Sequence, residues 1–193
     1  METKRKIYDS ANYLIRNNDI DDVSVDAIVN RAGVSKGSFY VHFESKDALI
    51  ATLIAEYVDK LDLNYESYLQ SFPADTLASD MLILLAGKIV DIMTINVGYE
   101  LINALYKAQI TKTTNTSAML GYNRNLYKIF NNIIGQGQQK EEFKPDININ
   151  TITNHCIMAI RGITYEWCIR YPDFNLKDAV LEHINILLTG IKK

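Results

Sequence analysis

Little in this chain of 193 residues can staple a fold covalently or carry it across a membrane. The two cysteines, Cys156 and Cys168, lie twelve positions apart in what reads as one helix, and at about 1.5 Å per residue they stand roughly 18 Å from each other. No disulfide spans that gap. No apolar run approaches the roughly 18 residues of a membrane helix, and the opening METKRKIYDSA lacks the apolar region of a signal peptide. The expectation is a cytoplasmic protein that engages no membrane. Positive charge is also scarce: the formal net charge is −3, and residues 1–47 hold seven Lys/Arg against eight Asp/Glu. A nucleic-acid site therefore has to come from placement rather than bulk charge.

Catalytic signatures are equally sparse. The three histidines (His42, His155, His183) have no metal-ligand spacing, and HExxH, CxxC, GxSxG and phosphate-loop patterns are missing. Gly135-Gln136-Gly137 is too short to stand for a nucleotide loop. The reading is a non-enzyme with no cofactor and no metal.

What the chain does contain is helical periodicity. Only Pro73, Pro145 and Pro172 interrupt it, each where the pattern also breaks. Ile7, Ala11, Leu14 and Ile15 form the stripe of a first helix, ended by the polar stretch Asn17-Asn18-Asp19. Ser24 is placed to cap a second, short helix carrying Val25, Ile28, Val29 and Ala32, and Gly33 to end it in a left-handed turn. Ser35 caps a third helix in which Phe39 and Phe43 sit one turn apart. Ser45 caps a fourth, running to about residue 68. Beyond Pro73, apolar helical stretches cover about 75–95, 97–110, 117–139, 149–170 and 176–191, the last opened by Asn175 with Asp178 three residues on. The fold class is all-α.

The segment GVSKGSFYVHFESKDAL, residues 33–49, gives the second and third helices a steep connection through a glycine turn, the helix-turn-helix arrangement whose second helix can enter a DNA major groove. Ser24, Ser35, Lys36, Gly37, Ser38, Tyr40, His42 and Lys46 are the candidate DNA-binding residues. Ser35, the N–H groups of Lys36 and Gly37, and the helix dipole suit a phosphate, and Gly37 removes a side chain that would hold the backbone off the duplex. Lys46 can reach a flanking phosphate. Phe39 and Phe43 face inward.

From Ile7 through Ala32-Gly33-Val34-Ser35-Lys36-Gly37-Ser38-Phe39-Tyr40 and on to His42-Phe43, Ser45-Lys46-Asp47 and Leu49, the chain resembles the N-terminal domain of the TetR family of transcriptional regulators. The resemblance covers roughly residues 4–50. It implies a helix-turn-helix DNA-binding domain over 1–47, followed over 48–193 by a helical effector-binding and dimerisation domain. It also implies a homodimer on a near-palindromic double-stranded operator, with the last two helices of each protomer forming a four-helix seam.

Tyrosines concentrate in the middle helices, where the family keeps its effector pocket. Tyr65, Tyr68, Met93, Tyr99, Asn103, Tyr106, Tyr122, Asn123 and Tyr127 are candidates to line it. Any single one of them reads first as a core or surface residue. Ile160, Ile163, Trp167, Ile184, Leu187 and Leu188, on the stripes of the last two helices, are the candidate dimer contacts. The expected function is a ligand-responsive repressor released from its operator by a small apolar or aromatic molecule. The alternative is a helical dimeric ligand- or partner-binding module without specific DNA binding, which leaves Ser35-Lys36-Gly37 unexplained.

Overall fold

The computed structural model describes residues 2–18, 22–112, 120–122 and 124–193. Asn123 and residues 117–119 of the stretch expected at 117–139 lie outside them. The described chain is helical: α1 (Glu2–Asn17), α2 (Val25–Ala32), α3 (Lys36–His42), α4 (Lys46–Leu69), α5 (Ala78–Asp91), a π-helical segment (Ile92–Val97), α6 (Tyr99–Thr111), α7 (Asn125–Gln139), α8 (Ile149–Arg170) and α9 (Leu176–Ile191). Contacts divide it into two compact units, Met1–Asp59 with Val97–Leu120, and Lys60–Asn96 with Gly121–Lys193. The division falls within α4, which contributes residues to both.

In the first unit the expected stripe of α1 is buried: Ile7 and Ala11 are fully covered and Ile15 nearly so. They pack with Ile28 and Val29 of α2, Phe39 of α3, Phe43, Leu49 and Leu53 of α4, and Leu101 of α6. Apolar burial of this kind contributes roughly 1.5–3 kcal/mol per large side chain and gives short helices such as α2 and α3 a reason to persist. Tyr8 on α1 shares a hydrogen bond with Glu56 on α4. Burial, then that bond and the carboxylate's charge, raise its phenol to about 12.

The second unit packs α5 against α7 and α9, and α8 against α7 and α9. Its centre holds Leu82, Leu85 and Val90 of α5, Phe130 and Ile134 of α7, Cys156 and Ile160 of α8, and Val180 and Ile184 of α9. Cys156 and Cys168 are buried on α8 and form no disulfide, and burial raises their thiols to about 12 and about 11. Lys177 of α9 donates to both carboxylate oxygens of Asp91 at 2.8 Å. At Gly137 an added Cβ would stand 2.3 Å from Phe143 and 2.9 Å from the Cβ of Ala78. Only glycine lets that ring reach the helix.

Two boundaries differ from the expected ones for physical reasons. The 75–95 stretch begins as a helix at Ala78, because its start is capped from elsewhere in the chain: Glu142 accepts from the N–H groups of Ala78 at 2.7 Å and Ser79 at 2.9 Å, while Leu77 gives no side-chain cap. The 117–139 stretch is interrupted: Leu120 is helical, Gly121 and Tyr122 are not, and α7 runs from Asn125, where Asp62 accepts from Leu126 N–H at 3.2 Å.

Burial pushes the Glu142 carboxyl up, but the bonds from Ser79 and Ala78 and the charge of Lys192 outweigh it and leave its pKa below the ordinary 4.5. A lowered folded-state pKa stabilises above the unfolded value and loses that contribution as pH falls through the folded one. Glu142→Gln is therefore expected to cost about 1 kcal/mol at neutral pH. The gap to wild type should close below about pH 4.5. Urea unfolding at pH 7 and pH 3 checks this; an equal gap at both would remove the charge from the cap.

Candidate nucleic-acid interface

The turn between α2 and α3 is built from three local hydrogen-bonding devices. Ser24 Oγ accepts from Ala27 N–H at 3.1 Å, meeting one of the free donors at the start of α2. Gly33 adopts φ +66°, a left-handed conformation that side chains disfavour, and the chain turns as Val34 N–H donates to Val29 at 3.1 Å. Ser35 Oγ then accepts from Ser38 N–H at 3.1 Å and lies 2.9 Å from Ser38 Oγ. Ser45 repeats the device at the start of α4, accepting from Ala48 N–H at 3.0 Å.

Phe39 anchors α3. Its ring is fully buried, edge-on to Tyr40 with centroids 5.3 Å apart and tilted against Phe43 at 5.8 Å. With that face committed inward, Ser35, Lys36, Gly37, Tyr40 and His42 are exposed, as is Ser24, whereas Ser38 and Lys46 are half-buried. Lys36 is engaged in the uncomplexed protein: its Nζ lies 2.9 Å from Asp26 Oδ1, and that carboxylate's hydrogen bond and charge raise the lysine's pKa. The pair is exposed, so exchanging Asp26 for a phosphate costs little. Nearby cations are steadied by rings, Arg31 over Tyr13 at 3.4 Å and Lys4 over Phe43 at 5.7 Å.

Two residues here escaped the sequence reading. Asp26 was legible only as a first-turn acid of α2, its pairing with Lys36 being set by the turn. Val41 is 79% exposed on α3; the signal was its position two residues after Phe39, which puts it on the opposite side of a helix.

A helix-turn-helix of this form is found in a known group. Residues 7–53 match the family described as bacterial regulatory proteins, tetR family. This stretch of the chain is similar to the tetR family. The HTH-type transcriptional regulator EthR of Mycolicibacterium smegmatis is 32% identical over 66 residues, 34% of this chain and 30% of that protein. EthR of Mycobacterium tuberculosis is 34% identical over 67 residues, 35% and 31%. The match thus spans less than a third of the length of these curated relatives.

Beyond the residues similar to the tetR family, likeness is of fold alone. Thermus thermophilus FadR, a transcriptional repressor in complex with lauroyl-CoA, superposes with TM-score 0.74 at 15% identity, covering 97% of this chain and 94% of that one. Bacillus subtilis FadR in complex with stearoyl-CoA gives 0.73 at 19%, covering 97% and 98%. The architecture is all-α, an N-terminal helix-turn-helix domain followed by a C-terminal helical domain.

The structure distributes the candidate effector residues between the two units. Tyr99, Asn103 and Tyr106 are on α6, in the unit that contains the helix-turn-helix; Tyr65, Tyr68, Met93, Tyr122 and Tyr127 belong to the other. Tyr65 is buried, and burial, opposed by Arg124 and aided by Asp62, raises its phenol well above the ordinary range. Tyr122 is exposed and lies edge-on to buried Tyr127 at 5.3 Å, whose hydroxyl accepts from Arg161 at 3.2 Å. Tyr68 meets Phe72 edge-on at 5.0 Å, with Lys88 5.2 Å from its ring centroid. An open cleft of about 810 Å³ beside α7 and the start of α8 contains none of these residues and is lined largely by amides, Asn132, Gln136 and Gln139 among them.

Of the candidate dimer contacts, Ile160, Trp167, Ile184 and Leu188 are buried at 6% exposure or less. Ile163 and Leu187 are half-buried. The apolar face left open consists of Met158, Tyr165 and Ile169 on α8 and Ile186 on α9, beside exposed Gly162.

Proposed function

We propose that this protein is a homodimeric, ligand-responsive transcriptional regulator that represses by holding a near-palindromic operator and lets go when a small apolar or aromatic molecule binds. The observation that carries this is the orientation of α3: Phe39 and Phe43 are inside, and Gly37, Tyr40, Val41 and His42 are outside, on a helix delivered by a left-handed glycine turn. The tetR-family match supports the same reading.

In this proposal the functional DNA-binding domain is 1–47, with 48–193 holding the effector and the partner protomer. Two copies of α3 enter successive major grooves about 34–36 Å apart, one turn of duplex. Ser35, Ser38, Tyr40 and His42 supply contacts to phosphates and base edges, while Ser24 caps α2 at the backbone. The protomers meet through the open face of α8 and α9. The aromatic side chains Tyr65, Tyr68, Tyr99, Tyr106, Tyr122 and Tyr127, with Met93, Asn103 and Asn123, are the proposed effector contacts. The FadR neighbours were solved with acyl-CoA molecules, which makes long-chain acyl thioesters the first class to screen. An effector acts by binding better to the state whose heads cannot span both half-sites, and α4 carries the change because it belongs to both units.

Lys36→Ala and Lys46→Ala are each expected to weaken binding to all DNA sequences alike and to reduce the slope of log affinity against log salt by about 1. Titrations at several salt concentrations check it. A change of base preference at constant slope would move that lysine from phosphate to base.

A further inference from the structure

Val41 is a β-branched apolar residue 79% exposed in the middle of a surface otherwise made of serines, a lysine, a tyrosine and a histidine. At 100° per residue, Gly37 and Val41 each stand about 160° from Phe39, one on either side of the line opposite the core. They are one turn apart, so the outermost ridge of α3 is a glycine followed by a valine. A Cβ placed on Gly37 would meet only Ser35 Oγ at 3.8 Å; the fold has no need of a glycine there. The bare backbone lets α3 approach an opposing surface closely, and Val41 is then the first side chain to touch it.

Valine offers neither donor nor acceptor, so it gains nothing from a phosphate and costs desolvation against a polar base edge. The apolar group that a major groove presents is the C5-methyl of thymine. We propose that Val41 is a specificity-determining residue that packs against a thymine methyl in each operator half-site. The assignment rests on the DNA-binding reading above and is continuous with the same interface.

The test begins with the full-length protein and a random-sequence duplex library, from which a preferred site is selected. Each thymine of that site is then replaced singly by uracil, which removes the methyl and leaves every hydrogen-bonding group in place. Wild type and Val41→Ala are titrated against the whole series. Val41→Ala is expected to melt with wild type, since the side chain is exposed. One thymine position per half-site should cost wild type roughly fourfold in affinity when its methyl is removed, the worth of one buried methylene-sized group. Val41→Ala should bind the thymine and uracil forms of that position equally. If a site is selected but no position shows this coupling, or the site has no thymine, the Val41 assignment is overturned and DNA binding stands. If no site emerges from selection, the DNA-binding reading itself falls, and the assignment with it.

Discussion

Arg124→Met is expected to destabilise the protein by about 3–5 kcal/mol, the usual consequence of stranding one partner of a buried ion pair. Arg124 Nη2 donates to Asp62 Oδ1 at 2.6 Å and Nε to Oδ2 at 2.9 Å, a two-pronged pairing. Both side chains are nearly covered, at 11% and 6% exposure. Methionine keeps most of the volume but, among the described residues, leaves the Asp62 carboxylate with Leu126 N–H at 3.2 Å. Next to the pair, Asn125 Nδ2 donates to Glu66 Oε1 at 2.7 Å, so the same change loosens the junction between the later part of α4 and the start of α7. Replacing both charges, Asp62→Leu with Arg124→Met, should recover most of the loss, because the pair stabilises little beyond its own desolvation cost. Denaturant unfolding of the two single variants and the double variant measures this. A single-variant loss under 1 kcal/mol would mean that water reaches Asp62 freely.

The second large effect belongs to Phe39. Truncating this fully buried ring to alanine should cost about 3–5 kcal/mol by transfer and cavity terms together. Its contacts with Tyr40 and Phe43 hold seven-residue α3, which is too short to be stable alone. The Phe39→Ala protein is therefore expected to lose amide protection first over residues 25–43 and to lose DNA affinity with it, whereas Phe39→Leu retains much of both. Hydrogen exchange with a parallel DNA titration reads the outcome. Protection of α3 left at the wild-type level would assign its stability to the caps instead of the ring.

The caps were the most legible part of the chain. Ser24, Gly33, Ser35, Ser45 and Asn175 act on backbone groups within three or four residues, so spacing alone reveals them. Asn175 Oδ1 indeed accepts from Lys177 and Asp178 N–H groups. Glu142 on the start of α5 and Asp62 with Arg124 are pairings across more than sixty positions, and no local pattern announces them. The amphipathic stripes of α8 and α9 were legible as apolar, but periodicity shows that Ile160, Trp167, Ile184 and Leu188 need cover, not which element covers them. For the effector residues the obstacle is similar, since a tyrosine at helical spacing can end as buried as Tyr65 or as exposed as Tyr122.

Sequence-specific DNA binding is tested most directly by fluorescence anisotropy of the intact protein on a labelled duplex taken from beside its own coding sequence, at two salt concentrations, with unlabelled random DNA as competitor. The expected result is saturable binding that resists the competitor and weakens as salt rises, in proportion to the phosphates neutralised. Affinity equal to that for random DNA, on this duplex and on any site drawn from a random library, would contradict a regulator and leave a helical dimer whose head reads no sequence.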